Sequence, residues 1–361
     1  MTRTRPRFAP FALAAALAGA APLAAEDAPP PAPSPNEIVA KAEPSEWVAI
    51  APDDLLVMTL ALDARGKRRE VVIQLMPPPF SQGWVSNIRK LAAAHWYDGL
   101  AITRVQDNYV VQWGDPDGED RAKAKALPGG IATVPASQYA LASGDPAFAR
   151  ARDALLERAR TRAEIAARNM AGQNSATEAT RADKPTVFIS QPVPGMVVVQ
   201  KDPYADGASF QAGWPVGFSR EAMWPVHCYG MVGVGRNYSP DTGSGAELYT
   251  VIGHAPRHLD RNIALVGRVV EGIEHLSALP RGTGDLGFYE TPEERTPIVS
   301  VRLASELPGA QQPQFQYLST ESEAFARYAE ARANRRDPFF IVPAGGADIC
   351  NIPVPVRRVA N

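Results

Sequence analysis

The pair of residues with the clearest chemical potential is Arg104 and Gln112, eight positions apart and each near the end of an apolar, β-patterned run. Arg104 lies in Tyr97-Asp98-Gly99-Leu100-Ala101-Ile102-Thr103-Arg104-Val105, and Gln112 in Asn108-Tyr109-Val110-Val111-Gln112-Trp113-Gly114-Asp115-Pro116. A guanidinium is a fork of N–H donors, and a primary amide both donates and accepts. Set among aromatic and aliphatic side chains, they would line an apolar cleft that binds a hydrogen-bond acceptor. On spacing alone, a surface ion-pairing arginine beside a strand-edge glutamine fits the same residues. Other chemistries find less support. His254 and His258 stand four apart, as on a metal-binding helix face, but Pro256 breaks the helix between them and no matching carboxylate accompanies them. No nucleophile-elbow, zinc-protease or phosphate-loop motif occurs. The glycine-rich Gly230-Met231-Val232-Gly233-Val234-Gly235 lies in a β context, without the strand-to-helix setting of a dinucleotide site.

The elements that must position this pair are mostly short strands. Leu55 to Leu62 and Glu70 to Met76 are apolar runs joined by Asp63-Ala64-Arg65-Gly66-Lys67, which reads as a β-hairpin. Trp84, Val85, Ile88, Leu91 and Ala92 recur at helical spacing, so a helix is predicted over Gly83 to His95. From Pro185 onward strands are expected at Thr186 to Ile189, Met196 to Gln200, Met231 to Val234, Leu248 to Ile252 and Ile263 to Val270, then a short helix at Gly272 to Leu279 and a strand at Ile298 to Leu303. Many short strands with two separated helices favour a closed barrel over a parallel α/β sheet. Between them, residues 118–183 read as an insertion whose helix starts at Asp145-Pro146 and ends at Gly172. Its apolar stripe is Ala-rich and weak, as on a solvated surface helix. The tail from Pro308 holds one helical patch, Glu321 to Ala333.

These segments together resemble the cyclophilin family of peptidyl-prolyl cis-trans isomerases, in order from about Glu46 to Glu306. The likeness rests on the first hairpin, Asn87 in the helix before the Tyr97-Asp98-Gly99 turn, Arg104-Val105, the Tyr109 to Asp115 pattern, and Leu259-Asp260 followed by Gly267-Arg268-Val269. It implies a mainly β fold: a closed antiparallel eight-stranded barrel capped by two helices, here with a helical insertion and a C-terminal extension. Residue by residue, it implies Arg104 as the catalytic arginine and Gln112 as the glutamine that holds the substrate backbone. Tyr109, Val110, Tyr249 and Leu259 become walls of a proline pocket, and Val234, Gly235 and Arg236 the strand segment that pairs with the substrate chain. Glu247, where the family has a glutamine, is also implied to bind substrate; Thr103 and Ile263 stand where it has histidines, and His258 occupies the position before the pocket leucine. The implied activity is rotation about prolyl peptide bonds of polypeptide clients, with no cofactor and no metal. The second reading is a weakly active peptide-binding module or holdase-like chaperone on the same scaffold, suggested by Glu247, Ile263 and the insertion.

Composition bounds the partners. With 37 Lys and Arg against 39 Asp and Glu, the net charge of -2 argues against a nucleic-acid binder. The 34 prolines exclude a helical bundle as the main architecture. Arg3, Arg5 and Arg7, an apolar run over Phe8 to Leu23, then Ala24 and Ala25 before Glu26 read as a secretory signal peptide. A retained anchor is the other reading, which Pro10 and Pro22 oppose. Cleavage would leave a mildly acidic protein with no other membrane span, exported and placed in a periplasm. Residues 26–45, with Ala28-Pro29-Pro30-Pro31-Ala32-Pro33-Ser34-Pro35, read as an extended polyproline linker. The predicted organisation is therefore a signal peptide over 1–25, a linker over 26–45, the barrel domain over 46–306 and an extension over 307–361. An oxidising compartment permits Cys228 and Cys350 to pair, tying the tail to the middle of the chain. Two buried free thiols fit the sequence equally.

Overall fold

The computed structural model describes residues 32–120, 122–153 and 200–359. Its centre is the expected closed antiparallel barrel, built from β2 (Leu55–Leu60), β3 (Arg69–Leu75), β4 (Ala101–Val105), β5 (Val110–Gly114), β11 (Met231–Val234), β12 (Leu248–Val251), β13 (Leu265–Glu271) and β14 (Thr296–Leu303). Around the barrel the order is β11-β12-β5-β4-β14-β2-β3-β13, closed by β13 on β11. Closure removes the open edges that an eight-stranded sheet would otherwise present. The first hairpin turns where predicted: Asp63 Oδ1 accepts from the N–H groups of Arg65 and Lys67, and Gly66 takes the positive φ of 72°. Helix α2 (Gln82–Ala93) packs Trp84, Val85, Ile88, Leu91 and Ala92 into the main core. Its solvent face carries Arg89 and Lys90, which is why the pattern was legible. The second cap, α4 (Glu274–Ser277), is a single turn.

The extensions depart from the expected boundaries. Pro35 and its neighbours form helix α1 (Pro35–Ala40): Pro35 occupies the first turn, and Ser34 and Glu37 make a reciprocal capping box. Ile38 is buried in the main core, so the part of the supposed linker from Ser34 on is folded. The predicted signal peptide lies outside the described residues. The C-terminal extension is also built in. Its strands β15 (Phe315–Leu318) and β16 (Val356–Arg358) form a sheet with β1 (Trp47–Ala49) in the order β1-β15-β16, and α5 (Glu323–Ala333) buries Phe325 and Tyr328. Cys228 and Cys350 form a disulfide with Cα atoms 5.1 Å apart, 122 residues apart in sequence.

The insertion is larger than 118–183. Among the described residues, those between β5 and β11 supply no barrel strand and form instead a five-stranded sheet ordered β6-β10-β9-β8-β7. Its strands are β6 (Leu141–Ala142), β7 (Gln200–Asp202), β8 (Ala205–Gln211), β9 (Trp214–Phe218) and β10 (Ala222–Pro225). The predicted strand at 186–189 falls outside the described residues, and so does all but Gln200 of that at 196–200. Of the predicted helix, α3 is described over 146–153, with Asp145 Oδ1 accepting from the Ala147 N–H. The β8–β9 hairpin turns on Ala212 and Gly213, at φ 47° and 83°, a two-residue turn with both central residues left-handed. That tip is clamped between barrel and tail. Gly213 N–H donates to Thr320 Oγ1, Gly213 O accepts from Arg268 Nη1, and a Cβ on Gly213 would lie 2.6 Å from the Tyr317 ring. Among the described residues, no helix is long and apolar enough to cross a membrane.

Candidate functional site

Strands β4 and β5 pair antiparallel with Arg104 opposite Gln112, so eight residues of sequence close into one contact. Arg104 Nη1 donates to Gln112 Oε1 at 3.1 Å, Nε donates to Leu286 O at 2.7 Å, and Nη2 bonds to Gln106 Oε1. Its guanidinium also faces the rings of Tyr109 and Phe288, at 5.6 and 5.2 Å. Of five N–H donors, three are engaged and two remain for a ligand. Burial pulls the Arg104 pKa down, with Tyr109 and the Glu247 carboxylate acting the other way. The group stays charged at neutral pH. A half-buried, oriented cation beside aromatic faces is a strong donor, because little water screens it.

Gln112 is fixed from both ends. Its carbonyl oxygen takes the arginine, and its Nε2 donates to Glu247 Oε1. Glu247 precedes β12, which pairs with β5 and sets Leu248 opposite Trp113. Burial raises the Glu247 pKa, a shift that the Gln112 hydrogen bond and the Arg104 charge reduce. The segment before Glu247 is pinned to α2 and the turn that follows it: Trp84 Nε1 donates to Thr242 O and Gly243 O, Asn87 Nδ2 to Ser244 O, and Tyr97 Oη to Gly245 O. The same Asn87 exchanges two hydrogen bonds with Ala132 of the insertion.

Beside the polar row lies a small hydrophobic cluster separate from the main core, made of Val110, Tyr249 and Val251 with Tyr109, Leu259 and Ile263 packed against it. The sequence-predicted pocket residues Tyr109, Val110, Tyr249 and Leu259 therefore meet, and Ile263 joins them. His258 stacks on Tyr109 with ring centroids 6.4 Å apart. Tyr249 requires Gly233 across the strand pair, since a Cβ there would fall 2.3 Å from its hydroxyl. Gly235 likewise leaves room for the Glu247 side chain, 2.7 Å from where its Cβ would be.

Val234, Gly235 and Arg236 are placed differently from one another. Val234 is fully buried in the main core, and its N–H donates to Ala264 O; Gly235 N–H donates to Glu247 O. Those two N–H groups are therefore committed within the protein and are not free to pair with another chain. The Arg236 side chain reaches back to Asn262 O and Asn237 O. Thr103, next to Arg104, is buried, and its main-chain oxygen accepts from Tyr289.

Behind the cluster stands a buried polar chain whose links are not predicted from the sequence. Tyr249 Oη meets His227 Nε2 at 2.8 Å, His227 Nδ1 meets Asp260 Oδ1 at 2.9 Å, Arg257 Nε donates to Asp260 Oδ2 at 2.7 Å, and Arg257 Nη2 to Asp202 Oδ2 at 2.9 Å. All five residues are buried. Burial alone would raise the Asp260 pKa, but hydrogen bonds and charge from His227 and Arg257 hold it below the ordinary value. The available signal was a histidine inside the apolar run Trp224-Pro225-Val226-His227-Cys228, a position that needs a buried polar partner.

A family model described as cyclophilin type peptidyl-prolyl cis-trans isomerase/CLD matches residues 83–303, more than half of the chain. None of the curated proteins matches it. Among solved structures, the chain is similar to cyclophilin AquaCyp293 from Hirschia baltica, with 19% identity and a TM-score of 0.54 over 90% of this chain and 96% of that one. A cyclophilin type peptidyl-prolyl cis-trans isomerase from Cryptosporidium parvum, crystallised in the presence of the dipeptide Ala-Pro, matches with 9% identity and a TM-score of 0.33, over 68% and 98% of the two chains.

Proposed function

Since the chain belongs to the cyclophilin-type peptidyl-prolyl cis-trans isomerase family and carries that family's isomerase domain, we propose that it is an exported isomerase of proline-containing polypeptides, with Arg104 as its catalytic residue. The observation that carries this reading is the Arg104–Gln112–Glu247 row lying along the apolar cluster of Tyr109, Val110, Tyr249 and Leu259. Rotation about a peptide bond must cross about 18–20 kcal/mol, because the nitrogen lone pair leaves conjugation at the twisted state. For a prolyl bond this takes on the order of tens to hundreds of seconds. A catalyst needs only to bind the twisted amide better than either planar form.

The prolyl ring sits against the apolar cluster, and a free Arg104 N–H donates to the prolyl nitrogen as its lone pair localises. A charge-assisted hydrogen bond made only at the twisted state contributes about 1.5–3 kcal/mol, or one to two decades of rate. Gln112, locked between Arg104 and Glu247, offers its second Nε2 hydrogen to a substrate carbonyl. Holding ring and carbonyl while the acyl group turns supplies the remainder through positioning. Export is supported by the leader-like residues 1–25 and by the Cys228–Cys350 disulfide, which suits an oxidising compartment. In an isomerisation assay on a proline tetrapeptide, Arg104→Ala should lose about 10- to 100-fold in kcat/KM. Equal rates for the two proteins would overturn the assignment.

A further inference from the structure

We propose that the inserted five-stranded sheet sets the shape of the proline pocket, through the buried relay Asp202–Arg257–Asp260–His227–Tyr249. This deepens the reading above, and rests on its assignment of Tyr249, Leu259 and Tyr109 to the pocket. The relay begins on the insertion, where Asp202 ends β7, and ends on the pocket ring of Tyr249 in β12. Each link fixes the next. Asp202 Oδ1 is held by the Tyr204 N–H at 2.8 Å, so Oδ2 faces Arg257. Arg257 bridges the two carboxylates of Asp202 and Asp260 and lies 4.9 Å over the Tyr204 ring. Asp260 Oδ1 accepts from both the main-chain N–H and Nδ1 of His227. A carboxylate oxygen can only accept, so Nδ1 carries a proton and Nε2 is turned onto the Tyr249 hydroxyl.

The same clamp holds the other wall. Arg257 and Leu259 share one helical turn, with His258 between them stacked on Tyr109. Two residues further, Arg261 at φ 64° lies 4.4 Å over Trp224 of β10 in the inserted sheet. Thus the turn that delivers Leu259 and His258 is gripped by the insertion at both ends, by Asp202 at Arg257 and by Trp224 at Arg261. Asp202, Arg257, Asp260 and His227 are positioning residues, since they act through Tyr249 and Leu259. A pocket braced in this way should discriminate sharply by ring size.

The test uses the full chain, a proline tetrapeptide and the same peptide with the six-membered homologue pipecolate in place of proline. Binding is read by titration calorimetry, so that it does not depend on turnover. A rigid pocket distinguishes one methylene by about 10- to 200-fold. In Asp202→Asn, changed at the far end of the relay with Arg257, Asp260 and His227 between it and Tyr249, the preference for proline should shrink at least about fivefold, with thermal unfolding recorded beside it. Tyr249→Phe, which removes only the hydroxyl, should shrink it similarly, and combining the two changes should add nothing. A folded Asp202→Asn protein with unchanged preference overturns the proposal. So does an unchanged preference in Tyr249→Phe, which decides the matter if Asp202→Asn does not fold. If the wild-type protein binds both peptides with the expected preference yet Arg104→Ala isomerises at its rate, the catalytic assignment fails while the brace stands.

Discussion

Removing the Cys228–Cys350 bridge should cost this protein stability while leaving its native contacts in place. The bridge closes a loop of 122 residues of sequence separation. In the chain-entropy treatment, a loop of that length restricts the unfolded chain by about 5 kcal/mol at 25 °C. The tail does not depend on the bridge to dock. Phe325, Tyr328, Ile349 and Ile352 share the main core, and Tyr328 Oη donates to Pro353 O at 2.7 Å. The loss therefore falls mainly on the unfolded side, against a total stability of about 5–15 kcal/mol for a domain. The variant is Cys228→Ala with Cys350→Ser, because the first position is buried and the second half-exposed. Denaturant unfolding followed by tryptophan fluorescence should show a lower midpoint and a steeper slope, since the open denatured chain exposes more surface. Reduced wild-type protein should behave like the variant. A midpoint and slope unchanged in both would show that the unfolded ensemble gains no freedom when the loop opens, and that the bridge stabilises by another route or not at all.

Two further outcomes follow from the site. The folded pKa of Glu247 lies above its ordinary 4.5 because of burial, so the folded state holds that proton more tightly than the unfolded chain. Its contribution to stability is present below 4.5 and is lost as pH rises from there through the raised folded value. Glu247→Gln should therefore unfold at a higher temperature than wild type near neutral pH, with the gap closing as pH falls below 4.5; a gap independent of pH would contradict it. Gly233→Ala places a Cβ 2.3 Å from the Tyr249 hydroxyl and must displace that ring. Overpacking costs about 1–3 kcal/mol, and the proline-peptide Kd should weaken about tenfold; unchanged binding would remove Tyr249 from the pocket.

The barrel was legible because strands such as β2 (Leu55–Leu60), β3 (Arg69–Leu75) and β12 (Leu248–Val251) are rich in apolar and β-branched residues and α2 keeps its apolar residues on one face. Met231–Val234 falls where the sequence places it, and β2, β3, β12 and β14 lie within two residues of their predicted ends. The inserted sheet was not legible for a physical reason. Its strand β9 reads Trp214-Pro215-Val216-Gly217-Phe218, and proline and glycine inside a run argue against a strand. Gly217 is there because a Cβ would meet the Trp224 indole at 2.8 Å. In the site, Arg104, Gln112 and the apolar walls stood out through one local spacing and the family resemblance. The relay was invisible because its members come from positions 202, 227, 249, 257 and 260, and only the fold brings them into line. Helix α1 was hidden by the prolines before it, although Ser34 and Glu37 had the capping-box spacing.

The sheet β1-β15-β16 sets a limit on how small this protein can be made. A version cut after Glu306 would keep all eight barrel strands, yet β1 would lose β15, its partner through Trp47–Leu318, Val48–Tyr317 and Ala49–Gln316. Trp47, now covered by Arg357 at 4.0 Å, would lose that cover. The trimmed chain would present an unpaired strand with an apolar ring on it, a template for association with other copies. Cutting the tail is therefore expected to favour self-association, and a shortened barrel should be judged first by its solubility.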